Sequence, residues 1–253
     1  MNGILHTNST VFKTEDFINW QAVSNPVFTD FPAWQGQSNG VAHRSGMLTG
    51  FQWEDIYITY FQDRVGNYPG IRAAGLATSY DGINWSKSDE PFFTVEDVQR
   101  IIPPSFFEVD ITTGVGRVYV QHAETDGKYV YCAITVLNNA QAENRQYSHF
   151  VIRGTDPFDA RSFEYVEQSQ RLYGFYFVGG KWIVFHHGSE NGVRGARISI
   201  TDSLEGSLTV EHFIPSGIGG NPYKFVLSKL NGRWAILYSH RSTYETHLLL
   251  ETK

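Results

Sequence analysis

The sequence predicts an all-β chain folded as a β-propeller, on three observations: a repeated turn, a repeated hairpin and a composition poor in helix signals. The turn is Asp16-Phe17-Ile18-Asn19-Trp20, which returns as Asp81-Gly82-Ile83-Asn84-Trp85 with only its second position changed. Lys13-Thr14 and Thr78-Ser79 stand just ahead of the two copies. Self-similarity along a chain of period-two apolar runs marks a repeat architecture. Two looser copies follow, Thr155-Asp156-Pro157-Phe158 ahead of Ser162 to Val166, and Thr201-Asp202-Ser203-Leu204 ahead of Leu208 to Glu211. In each, a run ends in Thr or Ser, an Asp opens a turn, and a new run begins. An Asp carboxylate there accepts backbone N–H groups two or three residues on, so these acids read as structural.

The hairpin is an apolar run, a tight Gly turn with a basic residue, and an aromatic-led run. It occurs as Arg117 to Val120 with Asp126-Gly127-Lys128-Tyr129, as Leu172 to Phe175 with Gly179-Gly180-Lys181-Trp182, and as Lys224 to Leu227 with Asn231-Gly232-Arg233-Trp234. Asp-Gly, Gly-Gly and Asn-Gly match strand twist in a two-residue turn. A less regular version joins Met47 to Phe51, a Trp53-Glu54-Asp55 turn, and Ile56 to Phe61.

Together the two elements make a four-stranded module of about 45–60 residues, the size of a propeller blade. Modules begin in 39–95, 117–166, 171–213 and 222–253. The last lacks its Asp turn, while residues 9–23 carry an Asp turn with no strands before it. The reading that reconciles these is a circle in which N- and C-terminal strands share one blade, leaving no exposed edge. The modules that can be counted would then be four. Segments 21–40 and 95–116 leave room for a fifth, with Phe106 to Thr112 the best further strand.

A single domain over 1–253 is expected, because a propeller of this length buries its core as one unit. Val95 to Val98 reads as a helical turn ended by Pro103-Pro104. Cys132 lies in an apolar run and reads as a small buried hydrophobe. A net charge of −6 and a pI near 5.8 argue against nucleic acid as a partner. No window approaches a membrane span and no basic-then-apolar leader opens the sequence, so a cytoplasmic location is the default expectation.

Gly75-Leu76-Ala77-Thr78-Ser79-Tyr80-Asp81-Gly82-Ile83-Asn84-Trp85-Ser86-Lys87 resembles the Thr-Ser-x-Asp-Gly-x-x-Trp signature of the five-bladed propeller glycoside hydrolases, a clan that includes arabinanases, xylosidases and invertases. The Gly-Lys/Arg-aromatic hairpins at Lys128, Lys181 and Arg233 are similar to that clan's blade strands. The resemblance implies five blades and three carboxylates at the mouth of a central channel: a base or nucleophile, a general acid, and an acid that tunes the others. Glycoside cleavage needs such groups because leaving-group protonation and attack occur on different faces of the sugar.

In that clan the base commonly sits in an Asp-Pro context near an inner strand. Here Asp156-Pro157 lies in an outer turn, and Asn221-Pro222 heads an inner strand with an amide, which cannot act as a base. Four acids are the catalytic candidates. Asp30 is flanked by Phe28 and Phe31; Glu108 and Asp110 alternate along one run and would share a face; Asp63 ends the Ile56 to Phe61 run. Two carboxylates on one face raise each other's pKa, as an acid–base pair requires. The candidates for sugar binding are His43, His122, His187 and His240 at run ends, Arg44 and Arg64 beside them, Trp34 and Trp53 as stacking faces, and Asn221. The histidine spacing fits no ligand motif, so neither a metal nor a cofactor is expected.

Two functions follow. One is a glycosidase acting on a poly- or oligosaccharide, favoured by Asp30 with Glu108 and Asp110. The other is a non-catalytic propeller that binds glycan or serves as an interaction or appendage module, favoured by the amide at Asn221. Carbohydrate is the partner in either case except the last, and fold alone does not choose between them.

Overall fold

Within each antiparallel set a strand pairs with the next strand, as the hairpin repeats predict. A computed structural model describes residues 3–7, 10–15, 19–24, 37–38, 41–42, 46–64, 72–106, 117–138, 146–169, 172–206, 208–215, 222–230, 232–240 and 246–250. Within them β1 (Gly3–Thr7), β2 (Thr10–Thr14) and β3 (Gln21–Ser24) form a three-stranded antiparallel sheet. The short pair β4 (Gln37–Ser38) and β5 (Val41–Ala42) follows. Next come β6 (Gly46–Trp53), β7 (Ile56–Arg64), β8 (Arg72–Ser79) and β9 (Ser86–Lys87), then β10 (Arg117–Thr125), β11 (Val130–Asn138), β12 (Gln146–Gly154) and β13 (Phe163–Gln168). Each of these sets is an antiparallel meander, and a parallel pairing of Arg117 with Arg72 joins them into an eight-stranded sheet. A four-stranded sheet holds β14 (Leu172–Val178), β15 (Lys181–Glu190), β16 (Val193–Thr201) and β17 (Val210–Pro215). A three-stranded sheet holds β18 (Pro222–Leu230), β19 (Arg233–His240) and β20 (Thr246–Leu250).

The first strands of successive sets lie against one another: β1 by β6, β6 by β10, β10 by β14, and β14 by β18. Both faces of the sheets between them are therefore buried. Along β11, Cys132 and Ile134 enter one apolar layer, shared with Tyr60, Phe93 and Phe163. Tyr131 and Ala133 enter the next layer, against Phe175, Trp182 and Val184. A third layer joins Phe185 and Ile198 to Phe225. The period-two alternation thus serves two neighbours at once. Cys132 is fully buried, as its sequence context predicts.

The turns follow their local chemistry. Gly127, Gly179, Gly180 and Gly232 take φ of 87°, 60°, 82° and 79°, the left-handed region that such hairpins demand. The Asp81 carboxylate accepts from the N–H groups of Ile83 (2.8 Å) and Asn84 (2.7 Å), and Trp85 Nε1 donates to the Gly82 carbonyl at 3.1 Å. These N–H bonds hold the Asp81 carboxyl well below the usual carboxylate range. Asp156 closes its turn through the Phe158 N–H at 2.8 Å. The Asp202 turn differs from expectation. There the Thr201 hydroxyl accepts from Ser203 N–H at 3.2 Å, while Asp202 reaches out to the Lys181 ammonium at 2.9 Å. Asp16 lies outside the described residues.

The helical turn expected near Val95 extends to α1 (Val95–Ile101), because a reciprocal cap starts it firmly. The Thr94 hydroxyl accepts from Asp97 N–H at 3.2 Å and the Asp97 carboxylate accepts from Thr94 N–H at 3.0 Å. Of the expected strand at Phe106 to Thr112 only Phe106 is described, as the last residue of a 3₁₀ turn over Pro104–Phe106; residues 107–112 lie outside the described residues.

Among the described residues the N- and C-terminal strands do not share a sheet; β1–β3 pair only with one another, as do β18–β20. Thr7 pairs with Thr10, so a two-residue link closes β1 onto β2 before any distant partner is needed.

Candidate functional site

Antiparallel meanders sort their loops onto two rims. One rim carries the first-to-second-strand hairpins at Glu54-Asp55, Asp126-Gly127, Gly179-Gly180 and Gly232, together with the Asp81, Asp156 and Asp202 turns. The other carries the starts of β6, β10, β14 and β18 and the ends of β7, β11, β15 and β19. The hairpin rim is held by turn chemistry.

Asp63 and Arg64 end β7, paired in register with Ala73 and Arg72, and so stand at that opposite rim. His240 ends β19 opposite Pro222, the first residue of β18. Asp30, Trp34, His43, Arg44, Glu108, Asp110 and Asn221 lie outside the described residues. Trp53 sits at the other rim, half-buried against the layer that holds Phe51 and Ile58.

His187 is half-buried on β15 and points away from the face that carries His186. His186 is buried and its Nε2 lies 3.1 Å from the Ser199 hydroxyl; burial first, then the Arg197 charge, lowers its pKa. His122 is buried on β10, its ring edge-on to Phe175 and Tyr176 with both centroids at 4.9 Å. Its Nε2 meets the Phe175 carbonyl, which can only accept, so that nitrogen carries the hydrogen. Gly174 makes room for this ring: a Cβ there would stand 3.2 Å from His122 Nδ1.

Sequence reading passed over Glu124, two residues beyond His122 on the same strand. Burial pushes its carboxyl up to about 7, against a 2.9 Å bond from Thr125 N–H that favours the anion. Its charge in turn raises the Tyr176 phenol, after burial as the larger cause, and that phenol donates to the Phe225 carbonyl at 2.7 Å. The available signal was the strand itself: an acid on an inner strand packed between two others loses water. Glu124 lies near the hairpin end of β10, remote from the starts of the inner strands.

Among the described residues no group of three or more His, Cys, Asp or Glu is placed to hold a metal ion, and no helix is long and apolar enough to cross a membrane.

No family model matches the chain, and no curated protein matches it. Solved structures do. An endo-arabinase from Bacteroides thetaiotaomicron is 13% identical at a TM-score of 0.60, over 100% of this chain and 93% of that one. An exo-1,5-alpha-L-arabinanase from a bovine ruminal metagenomic library is 10% identical at a TM-score of 0.60, over 98% of this chain and 91% of that one. A Bombyx mori GH32 beta-fructofuranosidase, solved with sucrose, is 15% identical at a TM-score of 0.53. The match covers 94% of this chain but only 49% of that enzyme, so the chain spans about half its length. The chain therefore has the all-β, propeller-like fold of these glycoside hydrolases.

Proposed function

We propose that this chain is a glycoside hydrolase-like propeller, acting on a poly- or oligosaccharide through carboxylates at the mouth of its central channel. The observation that carries the reading is the likeness in fold, over nearly the whole chain, to two arabinan-cleaving enzymes. Residues 1–253 form one domain of five blades in this reading, built on β1–β3, β6–β9, β10–β13, β14–β17 and β18–β20, with the first and last blades meeting to close the ring.

Chain order supports a site at the rim opposite the hairpins. Asp63 and Arg64 end a second strand, as does His240. In sequence, His43 and Arg44 fall just before β6, Glu108 and Asp110 between β9 and β10, and Asn221 immediately before β18. Asp30, Glu108, Asp110 and Asp63 are the proposed acids, and His43, Arg44, Arg64, Trp34 and Asn221 the proposed sugar contacts. Trp53, on the other rim, takes a packing role.

The second reading, a glycan-binding or interaction propeller without hydrolysis, is favoured by the amide of Asn221, which stands where the clan carries a base. The test is reducing-sugar release from arabinan, xylan, fructan, galactan and agar oligosaccharides by wild type, Asp30→Asn and Asp110→Asn. Loss of activity in either variant, with circular dichroism unchanged, supports the glycosidase and its acids. Activity that survives both substitutions removes those acids. No release on any substrate, with saturable binding to one, selects the binding module.

A further inference from the structure

Three arginines stand in one register line at the rim opposite the hairpins. Arg64, the last residue of β7, is the partner of Arg72, the first residue of β8. Arg72 is in turn the parallel partner of Arg117, the first residue of β10. From Arg117 the line passes to Leu137 on β11. Adjacent strands lie about 4.8 Å apart, so the three positions fall within roughly 10 Å along one edge. They also mark the place where the β6–β9 and β10–β13 sets join into one sheet.

A row of this kind is costly to keep. Like charges directly opposite one another weaken a ladder, whereas opposite charges support it. The chain shows the favourable arrangement on β12, where Arg153 has Glu164 as its register partner and its Nε donates to that carboxylate at 2.8 Å. Lys181 and Arg100 likewise hold Asp202 and Asp97. At the opposite rim the register partner of an arginine is another arginine. The only acid on β7 or β8 is Asp63, which stands one position off the line, opposite Ala73.

The chain as a whole is acidic, with a net charge of −6, so its overall field repels a polyanion. Three cations gathered on one edge reverse that sign locally. Arginine is the residue type suited to a carboxylate, because its guanidinium stays charged and offers a planar fork of donors that matches the two oxygens. Arginines on successive strands repeat that offer at strand spacing. A polymer with a carboxylate on each of several sugars can answer such a row, where a neutral glycan cannot.

We propose that the row Arg64, Arg72 and Arg117 recognises the carboxylates of an acidic polysaccharide, so that the glycan this propeller takes is a uronate-bearing one. The inference rests on the reading of the protein as carbohydrate-acting and narrows it to a substrate class. Asp63, one of the proposed acids, adjoins the row in sequence, so recognition and chemistry would share one rim.

Affinity electrophoresis in gels containing polygalacturonate, a sulfated galactan or neutral arabinan tests it. Wild type is run beside Arg72→Gln, Arg117→Gln, Arg72→Lys and Arg161→Gln. The last removes the same charge from the exposed Arg161 in the Ala160–Ser162 turn of the hairpin rim. Retardation of wild type by polygalacturonate is expected, weakened by added salt and about tenfold in Arg72→Gln or Arg117→Gln, the scale of one charged hydrogen-bonded pair. Arg72→Lys keeps the charge without the fork and should fall between. Arg161→Gln should migrate like wild type. Because Gln relieves like-charge opposition, the melting temperatures of the two Gln variants in the row should hold or rise. A fall in both would mark the row as part of the join between sets and overturn the proposal. So would equal retardation of all three Gln variants, and stronger retardation by the sulfated galactan would overturn the carboxylate as the recognised group. Binding or cleavage of neutral polymers alone would overturn the row and leave the proposed function standing. Wild type that neither binds nor cleaves any of the polymers, acidic or neutral, would overturn both.

Discussion

The phenol of Tyr60, fully buried on β7, donates to the carbonyl of Pro157 at 2.9 Å, tying the β6–β9 set to the Asp156 turn of its neighbour. The ring stacks on Phe92 with centroids 5.1 Å apart, and burial, with smaller contributions from Cys132 and Asp156, keeps the phenol protonated. Tyr60→Phe keeps the ring and strips the donor from a buried carbonyl. A cost of about 1–2 kcal/mol is expected, a fall of about 2–6 °C in Tm by calorimetry. An unchanged Tm would show that the bond adds nothing to the join.

Glu124 should make stability fall as pH rises. Its folded pKa of about 7 lies above the 4.5 of an ordinary glutamate, so the native state binds the proton more tightly. The contribution is complete below about pH 4.5 and is lost as pH climbs through about 7. It amounts to no more than about 3 kcal/mol. Glu124→Gln, neutral at every pH, should match wild type near pH 5 and exceed it at pH 8 in urea unfolding. Parallel pH profiles would refute the shift.

Gly75 on β8 is paired in register with Phe61, whose ring lies flat across it. A Cβ at Gly75 would overlap Phe61 Cζ. Gly75→Ala must displace a fully buried ring and should cost about 1–3 kcal/mol, read as a lower urea midpoint at unchanged slope. Gly154, across which Phe163 lies in the same way, should behave alike.

The Asp81 turn should fail locally before the fold does. Asp81→Ala removes the acceptor of two backbone N–H bonds and should cost on the order of 1 kcal/mol. Amide exchange at Ile83 and Asn84 should quicken while that of the β7 ladder does not. Equal exchange at all these sites would mean that the carboxylate does not close the turn.

Legibility in the sequence followed the range of the interaction. The hairpins at Gly127, Gly180 and Gly232 were readable because left-handed backbone and strand twist are settled within four residues. Asp81 was readable for the same reason. Asp202 was not, since the Lys181 that draws its carboxylate away comes from another turn. Glu124 was missed because its loss of water depends on β14, far along the chain. Of the candidate site, what could be read was where the acids and histidines fall along the strands, and Asp63, Arg64 and His240 do end second strands.

The inner strands are also braced sideways by side chains that reach for a neighbour's backbone. His122 on β10 bonds the Phe175 carbonyl of β14, and Tyr176, the next residue, bonds the Phe225 carbonyl of β18. Adjacent residues of one strand thus look in opposite directions, one receiving a strut and one sending it. A chimaera that exchanged the β14–β17 set for its counterpart from another propeller would still offer His122 a backbone carbonyl, but would lose the strut to β18 unless the graft carried a Tyr at the same register. Segments of this chain are therefore interchangeable only as far as their lateral hydrogen bonds match.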